Sequence, residues 1–134
     1  MFGLSPTIAT AQARIFLYDK DVDMRKSFDG LYAIVQAEFK KDVRLGDLFL
    51  FLNRRLDRLK LIYWDRDGLA IWMKRLERGT FQRPTLKLDG NQVEIDAIEL
   101  GLLLSGIDLR TAKRRKRYTV SSEARAKIEE HLAK

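Results

Sequence analysis

Between Asn53 and Gly79 the chain sets strand-forming residues and cations around a single turn, and this stretch constrains the fold more than any other. Arg58 to Trp64 is rich in strand formers, Asp65-Arg66-Asp67-Gly68 is turn chemistry, and Leu69 to Met73 is a second apolar run before Lys74-Arg75. The segment therefore predicts a β-hairpin. Alternation along a strand puts Arg58, Lys60, Ile62 and Trp64 on one face and Leu59, Leu61 and Tyr63 on the other. A two- or four-residue loop sets Ile71, Met73 and Arg75 beside the first group and Trp72 beside the second, whereas a three-residue loop exchanges them. Such a hairpin offers phosphates a cationic surface, with Arg54 and Arg55 at its tip. The alternative, commoner among half-buried sheets, is that the long cations lie over apolar neighbours and end in water.

The flanking segments extend this unit. Leu48-Phe49-Leu50-Phe51-Leu52, entered through Gly46-Asp47, is apolar on both faces and reads as a central strand. With the hairpin it makes an antiparallel meander. Arg14 to Tyr18 is a further strand candidate. Met24, Phe28, Leu31, Val35 and Phe39 recur at steps of four and three, which predicts a helix over 24–39 with Asp23 as its cap and Lys40 and Lys41 at its carboxyl end. Gly30 weakens that helix by about 1 kcal/mol against alanine, a cost best explained by close approach of another backbone. Leu86 to Leu88 and Val93 to Ile95 flank the turn-forming Asp89-Gly90-Asn91 and predict a second, short hairpin. Asp96 and Glu99 have capping-box spacing before a short helix carrying Ile98 and Leu102, which Ser105-Gly106 stops. Ser122 to Leu132 can form a marginal helix whose large apolar residues are Ile128 and Leu132.

At 134 residues, 46% apolar and 34% charged, the chain suits one soluble domain. It has no apolar run of membrane-spanning length and no secretory pattern at its start, which predicts a cytoplasmic protein. Cysteine is absent, so disulfides and thiolate metal sites are excluded. The charge of +7 is uneven: residues 1–109 hold 17 Lys and Arg against 16 Asp and Glu, and residues 110–134 hold 9 against 3. The excess centres on Arg110 and on Lys113-Arg114-Arg115-Lys116-Arg117, a run that is either a solvated tail or a phosphate-binding arm.

Catalysis has little support in the residues. Asp57, Asp65 and Asp67 could be imagined around a magnesium ion, yet Asp-x-Asp-Gly at a hairpin tip is ordinary turn chemistry. Lys26 and Ser27 are adjacent and diverge on a helix, and His131 has no pattern around it that selects a ligand or base. No phosphate-cradling glycine loop is present. These absences predict a chain without enzymatic activity, metal or cofactor.

Several segments, taken in order, carry a resemblance. Asp23-Met24-Arg25-Lys26-Ser27-Phe28-Asp29-Gly30-Leu31, Leu48-Phe49-Leu50-Phe51, Asn53-Arg54-Arg55, Asp57-Arg58, Lys60, Tyr63-Trp64-Asp65, Asp67-Gly68, Lys74-Arg75-Leu76-Glu77-Arg78-Gly79, Leu103-Leu104 and Gly106-Ile107-Asp108 resemble the TnpB, or second reading frame, accessory proteins of the IS66 class of bacterial insertion sequences. That family is distinct from the RNA-guided nucleases that share the TnpB name. The match covers roughly 14–110 and departs at Leu56 and Arg66, where a small residue or glycine is expected. The resemblance implies a protein without a catalytic centre that assists transposition beside a larger transposase.

Together these readings predict an α+β fold, an antiparallel β-meander sheet with one main helix packed on a face and a short C-terminal helix at its margin. Residues 1–13 form a loose arm, 14–110 the domain and 111–134 a basic, partly helical tail. The predicted function is non-enzymatic assistance of transposition by binding element DNA, the transposase, or both. Arg54, Arg55, Arg58, Lys60, Lys74, Arg75 and Arg78 on the body, and Lys113, Arg114, Arg115, Lys116 and Arg117 on the tail, are the candidate contacts. Two alternatives are a module that docks the transposase without touching DNA and, less in keeping with the residues, a metal-dependent nuclease.

Overall fold

The computed structural model describes residues 13–83, 88–89, 92–105 and 122–133. A six-stranded sheet runs in the order β4-β3-β2-β1-β6-β5, made of β1 (Ile15–Asp21), β2 (Leu48–Leu52), β3 (Arg58–Asp65), β4 (Gly68–Arg75), β5 (Leu88–Asp89) and β6 (Gln92–Ile95). The predicted meander is β2-β3-β4, and β2, buried along its whole length, lies inside the sheet. β1 lies between β2 and β6, parallel to β2. A parallel neighbour requires a long crossover, and residues 22–47 supply it.

That crossover contains helix α1 (Phe28–Ile34), which widens into a π-helical turn over Val35–Phe39. Leu31, Val35 and Phe39 follow at steps of four, so on a regular α-helix each would drift by about 40° from the one before. The wider turn keeps Phe39 on the buried side, and left-handed Lys40 (φ 57°) then ends the helix. The start differs from the expected Met24. Asp23 accepts from the Arg25 backbone N–H at 2.8 Å and binds the Arg25 guanidinium, capping a tight turn, and the helix begins four residues beyond Met24. Phe28 is consequently 44% exposed and lies off the core stripe. Gly30 is approached closely, but by the Lys26 side chain rather than by a second backbone.

Both faces of the sheet are covered. On one, Phe16, Tyr18, Phe49, Phe51 and Ile62 pack beneath Leu31, Val35, Phe39 and Val43. On the other, Leu17, Leu50, Leu52, Leu59, Leu61 and Tyr63 pack against Phe81 and against Leu100, Leu103 and Leu104 of α2 (Ala97–Ser105). The Asp96 capping box forms reciprocally, Glu99 N–H donating to Asp96 Oδ1 at 2.7 Å and Asp96 N–H donating to Glu99 Oε1 at 3.1 Å. α2 buries Leu100, Leu103 and Leu104, leaves Ile98 exposed, and covers a face rather than a margin. The second hairpin pairs Leu88 with Val93 and Asp89 with Gln92; Leu86 and Lys87 lie outside the described residues. Helix α3 (Ser122–Ala133) leaves Ile128 and Leu132 exposed.

The β3–β4 loop has two residues, Arg66 and Asp67, so the two-residue parity holds: Ile62 faces Ile71, Lys60 faces Met73 and Leu61 faces Trp72. Leu56 and Arg66, the two positions where the resemblance leads to the expectation of a small residue or glycine, are left-handed, each at φ 59°. A side chain there costs roughly 1–2 kcal/mol, which is why a small residue or glycine is the expected occupant. Arg66→Gly should therefore raise stability by about 0.5–1 kcal/mol, part of the relief being offset by the greater freedom of glycine in the unfolded chain. A denaturant midpoint at or below that of the parent would show that Arg66 carries no strain.

Candidate nucleic-acid interface

The cations of the body gather at the end of the sheet where β2 turns into β3. Asn53 organises that turn. Its side-chain Oδ1 accepts from the backbone N–H groups of Asp57 (3.1 Å) and Arg58 (3.0 Å), while its Nδ2 donates to Asp57 Oδ1 at 2.6 Å. Leu56 N–H donates to the Asn53 carbonyl at 3.1 Å, and the Asn53 N–H to that of Arg58 at 3.3 Å. The segment after β4 folds back onto this turn, Leu76 N–H donating to the Asp57 carbonyl at 2.7 Å and Phe81 N–H to the Leu56 carbonyl at 2.6 Å. With Leu56 packed against the core, Arg54 and Arg55 stand exposed on a braced turn, and Arg78 lies on the loop bound beside it.

The individual cations differ in what they are free to do. Arg58 and Arg75 are cross-strand partners at this end, and Arg75 is joined to Glu77 at 3.0 Å, which answers one charge of the pair. Lys74 points to the opposite face and donates to the Leu104 carbonyl at 3.1 Å, a cation at the carboxyl end of α2 where the helix dipole favours it. Lys60, expected on the surface, is instead buried, its Nζ donating to the carbonyls of Met24 (2.8 Å) and Lys26 (2.7 Å). It holds the chain leading into α1 and presents no charge to a ligand. The exposed Arg54, Arg55 and Arg78, with the half-buried Arg58 beside them, therefore remain as the candidate group. Because Leu104 is held by Lys74, the chain leaves α2 at this same end, and Arg110 and the run from Lys113 to Arg117 follow it in sequence. Those tail residues lie outside the described ones.

The acidic trio does not converge. Asp57 precedes β3 and Asp65 ends it, so the two lie eight positions apart along an extended strand, about 25 Å, and the three cannot hold one ion. Among the described residues no group of three or more His, Asp or Glu side chains is placed to hold a metal. Ser27 precedes α1 and makes no side-chain cap bond, and His131 is exposed on α3.

Among the described residues the other ion pairs single out no second site. Arg25 holds the Asp23 carboxyl down to about 2, and Arg44 holds that of Asp42 well below the usual carboxylate range. Arg14 grips Glu94 with two bonds of 2.7 and 2.8 Å, lowering its pKa, and lies 5.0 Å from the Phe16 ring centre. Arg83, which the sequence did not mark, donates to the Tyr18 carbonyl at 2.9 Å and reaches Asp21 at 3.2 Å. Burial raises the pKa of Tyr18 and of Tyr63.

A family model described as IS66 Orf2-like protein matches residues 13–114. The chain belongs to that family. The match takes in the braced turn, all seven body cations and the first two residues of the basic run, so Lys113 and Arg114 are inside it. Two proteins of Sinorhizobium fredii (strain NBRC 101917 / NGR234) are similar: the uncharacterized protein y4jC is 38% identical over 102 residues, covering 76% of this chain and 86% of its own. The uncharacterized protein y4hO is 37% identical over 97 residues, covering 72% and 83%. No solved structure matches. Family membership gives this chain an accessory role in the transposition of an insertion sequence. Among the described residues no helix is long and apolar enough to cross a membrane.

Proposed function

We propose that this IS66 Orf2-like protein is a non-enzymatic factor that binds element DNA through phosphate contacts and so helps a separate transposase act there. The observation that carries the reading is the braced turn: Arg54 and Arg55 are exposed on a backbone tied to both its neighbours, with Arg58 and Arg78 beside it. Cations on a fixed turn lose little freedom on meeting a phosphate, and guanidinium groups bind its oxygens two at a time. Contacts of this kind position a protein on DNA without reading bases. The basic run, which follows α2 in sequence, adds sequence-independent attraction.

Binding of the full chain to element-end duplex, followed across salt concentration, tests this. Removing one cation that meets a phosphate should flatten the plot of log K against log salt by about 0.9. Arg54→Ala with Arg55→Ala is expected to lower the slope by roughly 1.8 and to reduce transposition in cells, while leaving the unfolding midpoint where it was, because exposed cations contribute little to stability. Replacing Lys113 to Arg117 with glutamine should remove a larger share of the slope. Unchanged slopes in both variants would reject the cationic end. If the transposase is nevertheless captured by the purified protein in the absence of DNA, the docking-module reading takes its place; the exposure of Phe28 beside the sheet favours that rival. Cleavage of end DNA or RNA in magnesium or manganese would overturn the non-enzymatic assignment.

A further inference from the structure

β4 is an edge strand of eight residues, and among the described residues no strand pairs with its outer side. Its first six residues, Gly68-Leu69-Ala70-Ile71-Trp72-Met73, contain no charge and no proline. Edges are normally blunted by such residues, so a long apolar one is a template for another strand. The phase of the ladder can be read from the structure. The Arg58 carbonyl accepts from Asn53, on the β2 side, so Leu59 and every second residue after it bond toward β4. Their partners are Lys74, Trp72, Ala70 and Gly68, which leaves the backbone groups of Leu69, Ile71, Met73 and Arg75 directed at the open edge.

We infer that this edge pairs with the β4 edge of a second copy of the chain, antiparallel about a two-fold axis at Ile71. Outward-directed residues must face one another, and centring on Ile71 satisfies this over the whole strand. Ile71 then meets Ile71 of the second copy, and Leu69 meets Met73. On the opposite face Ala70 meets Trp72, a small side chain against a large one. Beyond them Asp67, in the exposed turn, meets Arg75, so the two ends of the interface carry opposite charges. Centring one residue later, on Trp72, would instead bring Asp67 against Glu77 and two tryptophans together. Met73 is 45% exposed in the single chain and has most to gain from cover. Arg75 would then stand between Glu77 of its own chain and Asp67 of the second copy, which leaves Arg54, Arg55, Arg58 and Arg78 for DNA.

Sedimentation equilibrium of the full chain without DNA tests the pairing independently of the DNA reading. The parent should show a concentration-dependent monomer–dimer equilibrium. Asp67→Lys or Arg75→Glu alone puts like charges together at both ends of the interface and should weaken association by about tenfold. An equimolar mixture of the two variants restores opposite charges at both ends, as does the double variant, so each should regain the parent's affinity. Both positions are exposed, and circular dichroism will register any loss of fold. A parent that stays monomeric, a dimer that ignores both substitutions, or singles that are not rescued by mixing would overturn the proposal. A monomer that associates only when transposase is added would give the edge to that partner instead.

Discussion

Phe39→Ala is expected to destabilise the fold by about 3–5 kcal/mol, the range for deleting a fully packed phenylalanine. Phe39 is the last apolar residue of the crossover helix, and its ring meets four others: Phe49 at 5.1 Å, Tyr18 at 5.6 Å, Phe51 at 6.2 Å and Phe16 at 6.3 Å between centres. Three of these contacts are edge-on, the arrangement that the ring quadrupole favours, and such pairs are worth about 0.5–1.5 kcal/mol each beyond the area they bury. The four partners come from β1 and β2, so the ring joins the helix to the one parallel pair of the sheet. Truncation leaves a cavity between layers that cannot close without moving the π-helical turn. Phe28→Ala, by contrast, removes a ring that is 44% exposed and should cost about 1 kcal/mol or less. Urea midpoints of the two variants measure the difference directly. Equal shifts would mean that the packing of Phe39 contributes no more than a surface residue does.

The contrast between these two phenylalanines shows what could be read beforehand. Periodicity put both on one stripe, and it was right for Leu31, Val35 and Phe39 because the π-helical turn takes up the drift that repeated steps of four would bring on a regular helix. It failed at Phe28 because the start of the helix is decided by Asp23, whose carboxylate captures Arg25 two residues on and closes a turn there. The hairpin itself was legible, but its register was not: a two- or four-residue loop gives one set of facing residues and a three-residue loop the other, and the two-residue turn of the fold decides between them. The place of β1 beside β2 was not legible either, because parallel pairing depends on a crossover whose path no local signal encodes. Of the candidate site, Arg54 and Arg55 were expected at the tip of the hairpin and stand instead in the β2–β3 turn, at the other end of β3, because the hairpin's own tip is Arg66-Asp67. What braces them, the Asn53 side chain and the backbone of Leu76 and Phe81, joins residues up to 25 apart in sequence and became visible only with the fold. Lys74 and Lys60 looked like Arg58 and Arg78 in the sequence; only the positions of the Leu104, Met24 and Lys26 carbonyls separate them.

Lys60 carries the second large expectation. Its ammonium lies beneath the segment that leads into α1 and donates to two carbonyls, of Met24 and Lys26, at 2.8 and 2.7 Å. A hydrogen bond involving a charged group contributes about 1.5–3 kcal/mol, and here the loss of one side chain strands two acceptors beneath a covered face. Part of that gain is offset by the cost of withdrawing the ammonium from water, so Lys60→Ala should destabilise by about 2–4 kcal/mol rather than by the full sum. Lys60→Met separates the causes, because it keeps most of the stem that packs opposite Met73 and removes only the donor. It should retain more than half of the alanine variant's loss. Amide exchange in residues 24–28 should accelerate in both variants while that of β2 changes little, since the bonds hold the helix entry and not the sheet. In DNA binding, the folded Lys60→Met protein should keep the parent's salt slope, in contrast to the Arg54 and Arg55 variant. A Lys60→Met protein as stable as the parent would show that desolvation cancels the two bonds, and a flattened salt slope with the fold intact would return Lys60 to the phosphate-binding surface.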